Sequence, residues 1–424
     1  MILHEPSISE TGNEICCAAR FELQKPLSHL PQELWYRFPK ALVGNLSVRA
    51  DAFAPTAMLV AMYAGENLLV RGSISPRLAY SLLEIQEIFH SWMPKLFQLV
   101  NLQFDCIEPA VIADRQPARA GTAFSGGVDS FYTLWALMPE NQPIPQARVT
   151  HGLFIHGLDL RLDDEDNFQA AARHYQSLFE KAGLELVVGS TNAFQFSEFR
   201  ISWPLFFGPP TVGAAMLLSP FLSRFYLPAG MASYQKLIPQ ASHPLTDHLL
   251  STETLDVIHH GLSVNRYEKV KAIASWPATH QSLRVCSDKQ RMYGLQNCAA
   301  CHKCYRTMTL LEILGVSQFY SENFPKRLSP GSYLRWGLLT HLYPDQARAI
   351  RDKAIDHGRY GMALWIQIAI TLRIIKKYCV ELFKEALGRE GVFRLKRRIY
   401  LPESGSTDFD MDHDHPPTRN PETR

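Results

Sequence analysis

Between Arg119 and Met138 the chain reads RAGTAFSGGVDSFYTLWALM, and this stretch dictates three local structures in succession. Thr122, Ala123 and Phe124 form a short apolar run, as expected at the end of a buried strand. A polar, glycine-rich turn follows at once: Ser125-Gly126-Gly127-Val128-Asp129-Ser130. Phe131, Leu134, Trp135 and Met138 then recur at three- and four-residue steps, the spacing of a helix. Strand, glycine turn and helix together turn free backbone N–H groups and the positive end of a helix dipole toward an anion. Adjacent glycines let the backbone approach phosphate oxygens without a Cβ in the way. Ser125 and Ser130 add hydroxyl donors, and Asp129 is a candidate ligand for a phosphate-bound Mg2+. A serine-glycine turn between core elements is the alternative reading of the same residues.

The turn lacks GxxxxGK[ST], so it is not a kinase-type phosphate loop. SGGxDS after a strand instead resembles the pyrophosphate-binding loop of the ATP pyrophosphatase (PP-loop) superfamily. That superfamily includes GMP and NAD synthetases, tRNA-thiolating enzymes and 7-cyano-7-deazaguanine synthase. The resemblance implies ATP cleavage between the α and β phosphates. Ser125, Gly126, Gly127, Val128, Asp129 and Ser130 would hold the departing pyrophosphate, with Ser125, Asp129 and Ser130 closest to the chemistry.

A chain of 424 residues accommodates two or three domains. A net charge of +2 gives no general case for a nucleic-acid or membrane surface. The amino terminus, MILHEPSISE, lacks a basic-then-apolar export signature, and the longest apolar stretch, Gly361 to Leu372, is too short to span a bilayer. The expected location is therefore the cytoplasm, with thiols reduced.

Residues 1–115 read as a separate α+β module without a chemical motif. Leu42 to Val48, Leu68 to Val70 and Leu96 to Phe104 are its strand candidates, and Pro76 to Trp92 its helix. Residues 116–328 read as the catalytic domain, an α/β fold with a parallel sheet covered by helices on both faces. The family resemblance implies an adenine nucleotide alpha hydrolase-like form of it. Strands are expected at Val149 to Ile155, Leu184 to Val188, Phe225 to Ala229 and Leu255 to Ile258. Between them, Asp166 to Gly183 is an amphipathic helix with Phe168, Ala171, Ala172, Tyr175, Leu178 and Phe179 on one face. Ligands of such sheets lie beyond the carboxyl ends of the strands. Three polar turns are expected there: Ser125 to Ser130, His156 to Asp159, and Ser190 to Asn192. The resemblance places the second beside the nucleoside, making Gly157 and Asp159 candidate adenosine contacts; Asp159 serves equally as a cap for the turn that follows.

Ser233 to Thr254 is polar, broken by prolines and without periodicity. It reads as a substrate-facing loop with His243, Thr246, Asp247 and Ser251 as polar candidates, or as an ordinary solvated loop. Asn265 to Ala274 reads as a charged helix, whose Arg266 or Lys269 is either a phosphate partner or a solvated side chain.

Eight cysteines occur, and Cys286, Cys298, Cys301 and Cys304 follow C-x11-C-x2-C-x2-C spacing. Two-residue gaps let successive thiolates close on one ion, and the first cysteine completes a tetrahedron. Four sulfurs leave no open position, so a zinc there is structural; an iron–sulfur cluster makes the same ligand demand. His302 is a weaker candidate, because four cysteines suffice.

An SGGxDS loop with a late four-cysteine cluster is similar to 7-cyano-7-deazaguanine synthase and its relatives over roughly residues 119 to 314. The first cysteine gap is longer than in that family. Phe207-Gly208-Pro209-Pro210 stands where the family has Pro-Gly-Arg-Asn, and the amino-terminal module is foreign to it. The chemistry class carries over, and the deazaguanine substrate does not. Residues 329–400 read as helical, with a basic cluster at Arg394 to Arg398. Residues 401–424, proline-rich and polar, read as a disordered tail.

The expected activity is that of an AMP-forming, C–N bond-forming ligase using ATP, Mg2+ and a structural Zn2+. A carboxylate or amide oxygen of a small-molecule substrate is adenylated, pyrophosphate leaves, and a nitrogen nucleophile displaces AMP. Sulfur transfer to tRNA and a non-catalytic nucleotide-binding regulator are the rival readings.

Overall fold

Runs of period two and of period 3.6 alternate along the chain, and each hides its apolar side against another element. The computed structural model describes residues 1–27, 30–110, 119–197, 201–230, 233–286 and 294–399, with side chains to residue 382. Its strands are β1 (Ile2–Leu3), β2 (Ser7–Thr11), β3 (Glu14–Glu22), β4 (Glu33–Pro39), β5 (Leu68–Ile74), β6 (Leu102–Ile107), β7 (Ala120–Ala123), β8 (His151–His156), β9 (Glu185–Thr191), β10 (Arg224–Pro228) and β11 (Asp256–His260). Its α-helices are α1 (Ala54–Ala64), α2 (Pro76–Trp92), α3 (Val128–Ala136), α4 (Glu165–Lys181), α5 (Ala193–Ser197), α6 (Gly208–Leu217), α7 (Arg266–Ala274), α8 (His302–Ile313), α9 (Pro330–Leu339), α10 (Pro344–Asp356) and α11 (Tyr360–Ile399).

Two compact units result. Among the described residues, Met1–Ser125 and Asp129–Asn265 make the first, which carries every strand, and Gly126–Val128 with those from Arg266 to Ile399 make the second.

In the first unit the strands form one mixed, mostly parallel sheet in the order β11-β10-β7-β8-β9-β4-β3-β1-β5-β6, with β2 beside β3. The five strands β11, β10, β7, β8 and β9 are mutually parallel. From β7 the chain steps outward through β8 to β9, then returns to the other side of β7 for β10 and β11. That is the doubly wound order, and its direction reverses between β7 and β10. β8 is buried along its whole length, as a parallel strand covered on both faces must be. Helix α4 buries Phe168, Ala171, Ala172, Tyr175, Leu178 and Phe179, the face expected from its spacing, and Gly183 ends it at φ 69°.

The expected division near residue 115 is not where the compact units part. Strand β4 pairs antiparallel with β9, Tyr36 opposite Thr191, so the strands of the first 107 residues extend the parallel sheet. Two strand expectations are corrected. Leu42 to Val48 lies largely in a 3-10 helix, Lys40–Asn45, because Gly44-Asn45 favours a turn over a pleat. Leu96 to Phe104 becomes a strand only from Leu102: Leu96 and Phe97 donate back to the Met93 carbonyl, and Phe97 packs on Phe89, ring centroids 5.4 Å apart.

In the second unit, α9 and α10 pack along α11. The Tyr267 hydroxyl and His357 Nε2, 2.7 Å apart, tie α7 to the end of α10. The side chains of Arg394 to Arg398 and the expected tail 401–424 lie outside the described residues. Among the described residues, no helix is long and apolar enough to cross a membrane.

Candidate functional site

The phosphate-loop candidate sits at the carboxyl end of β7, where the winding of the sheet reverses. Its entry is pinned by Phe124, whose ring meets those of Phe131, Tyr175 and Phe179 edge to face at 4.9 to 5.0 Å. Along the turn, exposure alternates: Phe124, Gly126, Val128 and Ser130 are buried, and Ser125, Gly127 and Asp129 are partly open. The open side therefore offers a hydroxyl, a backbone without a side chain and a carboxylate. Gly126 has φ 75°, the left-handed conformation that glycine takes without cost. Its carbonyl accepts the Arg284 N–H at 2.8 Å within the second unit. Ser125 Oγ and Ser130 Oγ lie 3.4 Å apart. Asp129 Oδ2 lies 4.0 Å from where a Cβ on Gly230, just past β10, would stand, so that glycine keeps the space beside the carboxylate open. Helix α3 begins at Val128, so its first turn and the positive end of its dipole lie at the same end.

The second and third turns differ from the first. Gly157 has φ 89°, and a Cβ on it would run into the Thr191 carbonyl, so packing alone demands a glycine there. Asp159 is exposed. Thr191 and Asn192 are buried and spent on β4: Thr191 Oγ1 donates to the Trp35 carbonyl at 2.7 Å, and Asn192 Oδ1 accepts the Trp35 N–H at 3.0 Å. The three turns thus do not present three equivalent polar faces.

The stretch Ser233 to Thr254 is less open than its composition suggests. His243, Thr246, Asp247 and Ser251 are all buried. Asp247, fully excluded from solvent, accepts from Ser242 Oγ at 2.8 Å, from the His243 N–H at 2.9 Å and from His259 Nδ1 at 2.8 Å. Three donors offset the cost of burying this carboxylate. His259, on β11, carries no motif and is not among the residues singled out from the sequence. Burial, and secondarily His259 nearby, hold His243 below the ordinary histidine range. Lys269 is buried in α7 and is no solvated side chain.

The four cysteines of the second unit converge, with every Sγ within 4.8 Å of the others. Cys286–Cys301, Cys298–Cys304 and Cys301–Cys304 stand at 4.0, 3.8 and 3.4 Å. A tetrahedron with metal–sulfur bonds of about 2.3 Å has edges of about 3.8 Å, so one four-coordinate ion fits. Ala299 at φ 51° turns the Cys298-x-x-Cys301 knuckle, and the Ala300 and Cys301 N–H groups donate to Cys298 Sγ at 3.4 and 3.3 Å. Cys301 caps α8 and Cys304 lies in its first turn, where the helix dipole favours thiolate. Neighbouring thiols push Cys286 and Cys304 far above the ordinary range, and the hydrogen bond from Cys286 lowers Cys298. A cation that replaces the protons relieves this crowding.

Asn297, which spacing alone does not mark, closes the long first gap. Its Oδ1 accepts the Val285 and Cys286 N–H groups at 2.7 and 3.0 Å, and its Nδ2 donates to the Leu283 carbonyl at 2.9 Å. His302 is not part of the sulfur group; burial above all lowers it to about 4.

Compared with protein-family models, curated proteins and solved structures, the chain matches none.

Proposed function

We propose that the chain is an AMP-forming, ATP pyrophosphatase-type ligase that adenylates a carboxylate or amide oxygen and lets a nitrogen nucleophile displace AMP. One observation carries the reading: the SGGVDS turn lies at the carboxyl end of β7, where the sheet reverses its winding and where open α/β sheets take their ligands. In this reading the fold is adenine nucleotide alpha hydrolase-like. Ser125, Ser130 and the N–H groups of Gly126, Gly127 and Val128 bind the pyrophosphate, whose charge rises as the bond to the α phosphate breaks. Asp129 holds Mg2+, which supplies neutralising charge for the leaving group. Catalysis is then chiefly positional and electrostatic. In this reading Cys286, Cys298, Cys301 and Cys304 hold a structural zinc, since four sulfur ligands leave no place for substrate.

The test is the bond broken. Protein incubated with Mg·ATP labelled at the α phosphate, ammonium chloride and a panel of small carboxylates should yield labelled AMP and pyrophosphate in an acceptor-dependent manner. ADP and phosphate as the acceptor-dependent products, or no AMP with any acceptor, would remove the reading.

A further inference from the structure

His259 and Asp247 form a proton-handling pair that the phosphate loop does not explain. Asp247 is fully buried, and its two oxygens are already taken by a hydroxyl, a backbone N–H and an imidazole. An ionised carboxylate only accepts, so His259 Nδ1, 2.8 Å from Asp247 Oδ2, must be the protonated ring nitrogen. The lone pair of the neutral ring then resides on Nε2. A carboxylate that fixes the tautomer of a histidine in this way prepares its far nitrogen to take a proton.

The ring lines a small cavity with Ser242, His243, Lys236 and Gln240 among its walls. It is half-open to solvent, and the part that admits the centre of a water-sized molecule is about 20 Å³. Ammonia is the size of water. His259 is the penultimate residue of β11, two strands from β7 in the same parallel set. Strand spacing puts that separation at roughly 10 Å across the sheet, with both positions toward the carboxyl ends.

We propose that this cavity is the ammonia site and that His259 Nε2 accepts the proton of the attacking nitrogen, with Asp247 as its positioning residue. The inference rests on the adenylation reading above. In the step, the nitrogen lone pair forms the C–N bond, and the C–O bond to AMP breaks with its electron pair leaving on AMP. One N–H proton passes to His259 Nε2 and from there to solvent.

Two measurements test it. Long-range 1H–15N correlations of histidine-labelled wild-type protein should show His259 with Nδ1–H and a lone pair on Nε2. Asp247→Asn, whose amide can donate to Nδ1, should switch the ring to Nε2–H. A wild-type ring already protonated on Nε2 alone overturns the proposal with no substrate needed. For turnover, His259→Asn keeps a donor for Asp247 while deleting Nε2. With the carboxylate acceptor that supports AMP release in the wild type, ammonium-driven turnover should fall about 100-fold or more. AMP release to hydroxylamine, a weaker base whose N-protonated adduct is acidic enough to lose its proton directly to water, should fall less than about tenfold. Equal losses with both nucleophiles, or none with either, sink the ammonia site; His259→Gln repeats the comparison if the asparagine variant does not fold. A wild type that releases no AMP at all would instead refute the adenylation reading.

Discussion

The side-chain oxygen of Asn297 accepts the backbone N–H of Cys286 at 3.0 Å, and so ties the most distant of the four cysteines to the segment that carries the other three. A single carboxamide thereby does what a shorter sequence gap would otherwise do.

Asn297→Ala strands the buried Cys286 N–H and the part-buried Val285 N–H, each costing on the order of 1–3 kcal/mol when buried. The variant should lose about 2–4 kcal/mol of stability and release its metal to a chelator faster than the wild type. Unchanged metal release would show that the sulfurs alone set the site.

Cys301→Ser should lower metal content and thermal stability together, because a closed four-sulfur site contributes to folding. Cys16, Cys17, Cys106 and Cys379 stand outside the sulfur group, so serine at Cys379, which is exposed, should leave metal content at the wild-type value. X-ray absorption should give four sulfurs near 2.3 Å, about the zinc–thiolate distance.

In the phosphate loop, Ser125→Ala and Asp129→Ala should abolish AMP and pyrophosphate release while circular dichroism and melting stay near wild type. Both side chains are partly open. Loss of one donor to a shifting charge costs about 3 kcal/mol of transition-state stabilisation, on the order of 100-fold in rate.

Gly157→Ala tests packing against chemistry. A Cβ there meets the Thr191 carbonyl, in a backbone conformation that side chains rarely adopt. The variant should melt well below the wild type or fail to fold, whether or not nucleotide is bound. A stable variant with weakened nucleotide binding would return Gly157 to the nucleoside's side.

His151, His174 and His243 are all held below the ordinary histidine range, by burial first. Their folded pKa values lie below the unfolded value of about 6.5, so the unfolded chain binds more protons as acid is added. This share of stability is complete above pH 6.5 or so and declines as the pH falls below it. Urea midpoints measured from pH 7.5 to 5.5 should therefore drop, and His174→Gln should flatten the slope.

Much of the parallel half is legible from spacing. Helix α2 is found at both ends because Pro76 opens it and Ser75 Oγ accepts the Leu78 N–H at 3.1 Å, a local signal written in adjacent residues. Strand β3 has no such signal. Its Cys16-Cys17-Ala18-Ala19 centre has small side chains and three consecutive buried positions, which blur the alternation. Asp247 is visible as a polar residue in a long loop, but its partner His259 comes from a strand, and only the fold brings them together. Asn297 hides for the same reason: its importance lies in the backbone groups it reaches, and these have no sequence signature.

The junction of β4 with β9 has a consequence for synthesis. Tyr36 emerges from the ribosome long before its partner Thr191, yet Cys17 opposite Tyr36 and the rest of β3 depend on β4 for their place in the sheet. Until residue 191 arrives, β4 offers a naked edge to any other nascent chain, and closing so distant a pair is slow. An edge left open for so long favours wrong pairings, so a pause in elongation between β4 and β9 should raise the chain's dependence on chaperones.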